Sequence, residues 1–175
     1  MGTIMKINDV TKVKIMVDMD GVIVDFAASV VANVDPDFVD NPATDHDPEW
    51  KKDFWGKVKT ASEEGKDLWY DAPAMQDAQV LWNFVKGYKH EILSATGRSE
   101  YGAFRQKMRW MDEFDSSVKV NLVRKSPDKA AFASPNTILI DDRPKAINPW
   151  IAAGGIGVLH TSAADTIRQL KALGL

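Results

Sequence analysis

Two pairs of aspartates are the residues of this sequence whose spacing suggests chemistry. The first pair, Asp18 and Asp20, comes directly after the apolar run VKIMV and is followed by Gly21. Glycine permits a tight turn, so a loop at this point can aim both carboxylates at one bound group. Carboxylates held close together disfavour each other's ionisation, and one of them can keep a proton at neutral pH. The pair therefore supplies a nucleophile with an acid beside it.

The second pair, Asp141 and Asp142, follows another apolar run, NTILI. Four carboxylates gathered at one place would repel one another, and a hard divalent cation with oxygen ligands relieves this repulsion. Mg²⁺ is the expected ion, because it binds one or two carboxylates together with water and a phosphate oxygen. We therefore predict Mg²⁺ as the cofactor, with Asp18, Asp20, Asp141 and Asp142 at its site.

Hydroxyl groups and a lysine complete the set of candidate residues. Ser94 and Thr96 lie at the end of the run HEILSAT, and Lys129 comes shortly after the run VKVNLV. A hydroxyl can donate a hydrogen bond to a phosphate oxygen, and an ammonium group adds a positive charge. We predict that Ser94, Thr96 and Lys129 bind phosphate, and that the whole set performs phosphoryl transfer to a carboxylate.

The elements that must position these residues follow from the pattern of apolar residues. Five short aliphatic runs, bounded by polar or turn residues, predict β-strands at 13–18, 90–95, 118–123, 136–141 and 155–160. Helical patterns lie between them, and this alternation is typical of an α/β fold with a doubly wound parallel sheet. The ligand site of such a sheet lies beyond the carboxyl ends of its strands. We therefore expect the candidate residues at one edge of a sheet of about five strands.

Apolar stripes predict which faces of the helices are buried. Within each stripe the residues recur at spacings of three and four, as in an amphipathic helix. The stripes consist of Ala78, Leu81 and Val85; Phe104, Met108 and Met111; Ile147 and Ile151; and Ile167, Leu170 and Leu173. We expect these residues to pack toward the core.

The connection between the first two predicted strands indicates an insert. It is far longer than the dozen or so residues that a crossover between parallel strands needs. We therefore predict a small helical cap at residues 27–72, inserted after the first strand, with residues 1–26 and 73–175 forming the α/β core.

The predicted insert contains signals of its own. Asp47 and Pro48 predict the start of a helix, as N-cap and first-turn proline. One face of that helix carries Trp50, Phe54, Trp55 and Val58. These side chains could form the core of the insert or the wall of a pocket. Asp25, before the insert, is expected at a helix start, where a carboxylate is favourable.

Composition excludes several classes of protein. The chain has 175 residues, of which 45% are hydrophobic and 27% charged, as in ordinary globular domains. The absence of cysteine excludes disulfides and zinc-thiolate sites. A net charge of −3 and an acidic run at residues 35–49 argue against a stable nucleic-acid complex. With no apolar run long enough for a membrane span or a signal peptide, we expect a cytoplasmic protein without membrane contact.

The order of the candidate residues separates two α/β designs that use an aspartyl phosphate. Receiver domains of response regulators place their lysine last, whereas here Lys129 precedes Asp141, and the third run ends in LVRK without an aspartate. The sequence contains no GxxxxGK[ST] loop, and the glycines at 154–157 lack the Rossmann spacing. The receiver, P-loop and dinucleotide-binding alternatives are therefore disfavoured.

The assembled motifs resemble those of the haloacid dehalogenase superfamily of Mg²⁺-dependent phosphohydrolases. DMDGV at 18–22 matches its DxDG motif, ILS ends in its motif-two hydroxyl Ser94, Lys129 matches its lysine, and ILIDD matches its acid pair. Within the superfamily the chain is most similar to the 5'(3')-deoxyribonucleotidases, through DMDGVIVDF, APAMQDA and LIDDRP. The small helical cap is also similar to that of this group.

The resemblance implies a role for each matching residue. Asp18 would attack phosphorus to form an aspartyl phosphate, and Asp20 would protonate the leaving alkoxide and then activate water. Mg²⁺ would be held by the Asp18 carboxylate, the Asp20 backbone carbonyl and Asp141, with Asp142 in support. Ser94 would bind the transferring group together with the lysine.

The implied substrate is a small phosphate ester, and a nucleoside monophosphate is the first choice. Two alternatives share the chemistry, namely another small phosphate ester and the 3'-phosphate of a nucleic acid. A third alternative is a catalytically silent binding module with the same fold.

Overall fold

The computed structural model describes residues 7, 9–98 and 101–175. Residues 1–6 and 8 belong to the N-terminal stretch considered for a signal peptide and to the predicted core range 1–26. They lie outside the described residues.

All five predicted strands are present, and they form one parallel sheet in the order β3-β2-β1-β4-β5. They are β1 (Lys14–Val17), β2 (Lys89–Ala95), β3 (Val120–Val123), β4 (Thr137–Asp141) and β5 (Ile156–Leu159). The central strand β1 pairs with β2 and β4, so that Val17 at its end lies opposite Ile92 and Ile140. The sheet confirms the predicted α/β class and its doubly wound arrangement.

Helices cover both faces of the sheet. In the described part of the chain they are α1 (Phe26–Asn33), α2 (Pro48–Glu63), α3 (Ala78–Val85), α4 (Ala103–Asp115), α5 (Pro144–Ala152) and α6 (Ala163–Leu173). Because successive strand residues point to opposite faces, Ile15 and Val17 join an apolar cluster with α3, α4 and α6, whereas Met16 joins one with α5. Within the same ranges no helix combines the length and apolar character needed to cross a membrane.

The predicted buried faces are correct for α3 and α6, whereas on α4 only Met111 is buried as predicted. On α4, Phe104 is 56% exposed and Met108 is 39% exposed. The buried face instead consists of Ala103, Gln106, Lys107, Trp110 and Met111. Gln106 and Lys107 lie on this face because each has hydrogen-bond partners in the interior. An apolar pattern cannot identify buried polar residues, so it assigned the buried face to the wrong side of the helix. The stripe on α5 is wrong at Ile151, which is 52% exposed.

A third apolar cluster is formed mainly by the segment between β1 and β2. Phe54, Val58, Leu68 and Trp69 are buried in it, with Trp50 and Trp55 packed against them. The rings of Trp50 and Phe54 stack with centroids 4.9 Å apart. The aromatic face of α2 therefore packs in an apolar cluster that is separate from those on the sheet and that also includes Tyr101 and Ala103, from beyond β2. The division into a core and a cap at residues 27–72 stays a prediction.

The predicted helix starts in this region are confirmed. Asp25 is the N-cap of α1, where its Oδ1 accepts a hydrogen bond from Ala28 N at 2.9 Å. Asp47 caps α2 by accepting from the backbone N–H groups of Glu49 and Trp50, each at 3.0 Å.

Candidate active site

The turn after β1 presents both aspartates of the first pair. Asp18 N donates to Ile140 O at 3.0 Å, which ties the start of the turn to β4. Beyond it, the N–H groups of Val22, Ile23 and Val24 converge on the carbonyl of Met19 at 2.9–3.1 Å. These backbone hydrogen bonds fix the conformation of the turn and thereby the positions of Asp18 and Asp20.

Gly21 meets two requirements of this turn. Its φ of +79° lies in the left-handed region that favours glycine. A Cβ at this position would also lie 2.2 Å from Asp142 Oδ2. The turn after β1 and the acid pair after β4 can approach each other because residue 21 has no side chain.

Three of the four predicted metal-site carboxylates come together at the sheet edge. Oxygens of Asp18, Asp141 and Asp142 all lie within 4.8 Å of one another. Burial and the charge of Asp18 raise the pKa of Asp141 to about 6. Burial and the charges of Asp18 and Asp141 raise the pKa of Asp142 to about 8. The raised pKa values show that the three carboxylates repel one another when they are ionised. A divalent cation such as Mg²⁺, which prefers oxygen ligands, would relieve this repulsion.

Lys129 partly balances this charge. It lies on the short 3-10 helix Ser126–Phe132 after β3, and it is buried. Its Nζ is 2.6 Å from Asp141 Oδ2 and 2.9 Å from Asp18 Oδ1. The second contact is an ion pair without hydrogen-bond geometry, since Asp18 Oδ1 accepts no hydrogen bond from the described residues. Burial alone would lower the pKa of Lys129, but the charges of Asp18 and Asp141 raise it above its usual value.

A second buried lysine, which the sequence analysis did not identify, lies on the other side of the turn. Lys107 Nζ donates to Asp20 Oδ2 at 2.7 Å, to Ser94 Oγ at 2.9 Å and to Ala95 O at 2.8 Å. It extends from the buried face of α4 and is 1% exposed. The signal that could have revealed it is the polar pair Gln106-Lys107, which lies at helical spacing from Ala103 and Trp110.

The pKa values of Asp18 and Asp20 are shifted in opposite directions, and the two lysines contribute to this difference. Burial raises the pKa of Asp18, but the charges of Lys129 and Lys107 outweigh it, and the net pKa is lowered. Burial and the charge of Asp18 raise the pKa of Asp20, although Lys107 opposes this effect. An ionised carboxylate therefore lies beside one that holds a proton more readily, as expected for a nucleophile and an acid.

The two predicted hydroxyls lie in different surroundings. Ser94 is fully buried at the end of β2, and because an ammonium group can only donate, its oxygen accepts from Lys107. The hydrogen of Ser94 is thus left for another acceptor, and this hydroxyl helps to lower the pKa of Asp18. Thr96 is half-buried, and its hydroxyl donates to Val123 O at 3.3 Å. The geometry brings Ser94 into the site, and phosphate binding by Thr96 stays a prediction.

Ion pairs connect the edge of the site to the segment between β1 and β2. Arg143 pairs with Asp40 and lies 3.4 Å from Asp142 and 3.8 Å from Asp45. Lys145 Nζ is 2.9 Å from Asp45 Oδ1. Two aspartates of the acidic run at residues 35–49 therefore pair with the basic side chains of Arg143 and Lys145, which follow the acid pair in sequence.

The interior side of the candidate site is shielded from solvent, whereas the side chains of Asp20 and Asp142 remain 29% and 16% exposed. Asp18 is 6% exposed, and Ser94, Lys129 and Asp141 are at most 1% exposed. A groove of about 840 Å³ lies elsewhere, between α1 and α2, and is lined by residues that include Asn33, Lys52 and Gly56. Because none of its lining residues is a candidate site residue, we do not assign the chemistry to that groove.

Known structures share this architecture. No protein-family model matches the sequence, and no curated protein matches it. A haloacid dehalogenase-like family hydrolase from Xanthomonas campestris aligns with a TM-score of 0.58 and 12% identity, over 97% of this chain and 95% of that one. This chain has the haloacid dehalogenase-like fold.

Two further structures have the same haloacid dehalogenase-like fold. A haloacid dehalogenase-like family hydrolase from Streptococcus pneumoniae aligns with a TM-score of 0.57 and 14% identity, over 91% of each chain. A hydrolase from Streptococcus pneumoniae TIGR4 aligns with a TM-score of 0.56 and 15% identity, over 90% of this chain and 97% of that one. The predicted resemblance is thus confirmed for the fold, and the likeness to deoxyribonucleotidases stays a prediction.

Proposed function

We propose that the protein is a Mg²⁺-dependent phosphomonoester hydrolase that works through an aspartyl phosphate on Asp18. The observation that carries this proposal is the contrast between two neighbouring carboxyl groups at the end of β1, that of Asp18, whose pKa is lowered, and that of Asp20, whose pKa is raised. The hydrolases that share the fold support a hydrolase.

In the first step an Asp18 oxygen forms a bond to phosphorus, and the bond from phosphorus to the ester oxygen breaks. Asp20 gives its proton to the leaving alkoxide. In the second step water attacks phosphorus, the bond to Asp18 breaks, and Asp20 accepts a proton from the water. Lys129 and Ser94 stabilise the negative charge that spreads over the phosphoryl oxygens.

Asp18, Asp141 and Asp142 are the residues whose carboxylates would hold Mg²⁺. The resemblance adds the backbone carbonyl of Asp20 as a further ligand. When bound, the ion neutralises these carboxylates and the charge of the phosphoryl group. Neutralisation matters here because a phosphate dianion must enter a site that already contains four acids, two of them buried.

The proposed substrate is a nucleoside monophosphate, and the proposed location is the cytoplasm. The substrate rests on the likeness of DMDGVIVDF, APAMQDA and LIDDRP to 5'(3')-deoxyribonucleotidases. A phosphatase for other small esters would use the same residues, so the substrate has to be identified by comparing the hydrolysis rates of different esters.

The test is a panel of 5'- and 3'-nucleotides, deoxy and ribo, together with other small phosphate esters, assayed for phosphate release with Mg²⁺ and with a chelator. We expect hydrolysis that requires Mg²⁺. Asp18→Asn should lower turnover on the order of 10⁴-fold or more, with an unchanged circular dichroism spectrum. A wild-type protein that is inert toward the whole panel would disprove the proposal.

A further inference from the structure

Every hydrogen of the Lys107 ammonium group has an acceptor at the candidate site, as its contacts with Asp20, Ser94 and Ala95 show. An ammonium group has three hydrogens, so these three contacts fix its position completely. We propose that Lys107 is a positioning residue, which holds Asp20 for proton transfer and orients Ser94 as a donor to the phosphoryl group. This inference rests on the proposed function and deepens it.

Stability alone does not account for a lysine at this place. Desolvation offsets much of the attraction in a buried ion pair, and apolar replacements of similar volume are often neutral or stabilising. Trp110 and Met111 already give α4 an apolar buried face, which an apolar side chain at position 107 would extend. The charge of Lys107 is therefore better explained by the groups that it contacts.

The contact with Asp20 separates the two oxygens of that carboxyl group. Oδ2 accepts from Lys107, and since the ammonium supplies the hydrogen there, the proton of a neutral Asp20 belongs on Oδ1. Oδ1 is buried and has no hydrogen bond from any described residue. Lys107 thus leaves Oδ1 as the oxygen that releases and accepts a proton.

The contact with Ser94 acts in a similar way. Because Lys107 donates to Ser94 Oγ, the serine hydrogen is directed away from the ammonium group. Without Lys107, nothing at this position would keep the serine hydrogen on the side of Asp18, whose pKa the hydroxyl helps to lower. One side chain on α4 therefore orients two groups that come from β2 and from the turn after β1.

The role of Lys107 predicts a dependence on the leaving group. An alkyl phosphate needs a proton from Asp20 when its ester bond breaks, whereas p-nitrophenyl phosphate releases a stable phenolate without one. Hydrolysis of the aspartyl phosphate needs Asp20 as a base for either substrate. Loss of Lys107 should therefore slow both steps for an alkyl ester but only the second step for p-nitrophenyl phosphate.

The experiment measures Lys107→Met with p-nitrophenyl phosphate and with an alkyl phosphate that the wild-type protein hydrolyses in Mg²⁺. We expect kcat for the alkyl ester to fall by about 100-fold or more, the lower end of general acid catalysis. The first release of p-nitrophenol should slow by less than about tenfold, because it does not use the acid. It should appear as a burst stoichiometric with enzyme, followed by slow turnover.

Two controls separate this role from a structural one. Met111→Ala removes a buried apolar side chain one turn further along α4, so it should lower the melting temperature and leave the ratio of the two rates unchanged. Asp20→Asn combined with Lys107→Met should lose no more than about threefold beyond the larger single effect, because the two residues act as a unit. Lys107→Gln is the second variant, in case Lys107→Met does not fold.

If the first release of p-nitrophenol slowed as much as kcat for the alkyl ester, or if the losses in the double variant were additive, the positioning role would be overturned and the proposed function would stand. The role would also be overturned if both variants at position 107 failed to fold while Met111→Ala folded. A wild-type protein that hydrolyses neither ester in Mg²⁺ would overturn the proposed function, and the role of Lys107 with it.

Discussion

Gly21 packs directly against Asp142, so that a Cβ on the glycine would lie 2.2 Å from Oδ2 and 2.6 Å from Cγ of the aspartate. The two residues belong to the turns after β1 and β4, which are neighbouring strands in the sheet. The left-handed backbone of Gly21 brings the turn to this point. The position of Asp142 in the candidate metal site therefore depends on a residue without a side chain.

Gly21→Ala should reduce both stability and activity. A left-handed backbone costs alanine about 1–2 kcal/mol, and the added Cβ would displace Asp142. Since a displacement near 1 Å can cost about 100-fold in rate, we expect a loss of that order in kcat. Gly65→Ala is the matched control, because Gly65 has a φ of +86° and no atom within 4 Å of an added Cβ. Urea unfolding and phosphate release measure the two effects. Equal activities in the two variants would contradict the importance of the contact.

Mg²⁺ should stabilise the folded protein, because only the native state brings the carboxylates of Asp18, Asp141 and Asp142 together as a binding site. At a concentration of 100 times its Kd, the ion should add about 2.7 kcal/mol to the free energy of unfolding. Asp141→Asn should remove most of this effect, whereas Asp20→Asn should keep it, since the Asp20 carboxylate is paired with Lys107. Thermal melting with Mg²⁺ and with a chelator measures the difference. The same Mg²⁺ shift in wild type and Asp141→Asn would rule out the assigned ligand.

The ion pairs of Asp45 should restrain the segment that covers the sheet edge. Asp45→Asn removes its contacts with Lys145 and Arg143, which are partly exposed and worth up to about 1 kcal/mol. Amide hydrogen exchange in Pro42–His46 should therefore quicken by up to about fivefold, and high salt should produce a similar change in the wild type.

The control for this experiment is Glu63→Gln. Glu63 pairs with Lys59 within α2 at 3.7 Å, so its loss should not affect exchange in Pro42–His46. Unchanged exchange in Asp45→Asn would show that the ion pairs do not restrain this segment.

Local patterns predicted much of the fold. The five strands were recognisable because a parallel sheet covered on both faces requires short, continuously apolar runs. Asp25 and Asp47 were recognisable as helix starts because a cap satisfies N–H groups within three residues of itself. These features depend on neighbours in sequence, so they can be read without the tertiary structure.

The buried face of α4 was not predictable in this way. Hydrophobic periodicity assumes that buried positions are apolar, but Gln106 accepts from Trp69 N at 2.8 Å and Lys107 bonds to Asp20 and Ser94. Each polar side chain is buried because a distant segment provides its partner. Phe104 and Met108 formed the more regular stripe and yet face outward.

The sequence alone determined that acids, a hydroxyl and Lys129 follow successive strands of a parallel sheet, and hence that they share one edge. Only the tertiary structure decided which groups are in contact. Lys107 pairs with a carboxylate 87 residues away. Gly21, after β1, leaves room for Asp142, after the neighbouring strand β4. Such contacts depend on the packing of α4 and on atomic clearances between loops. They have no periodicity along the chain from which they could be predicted.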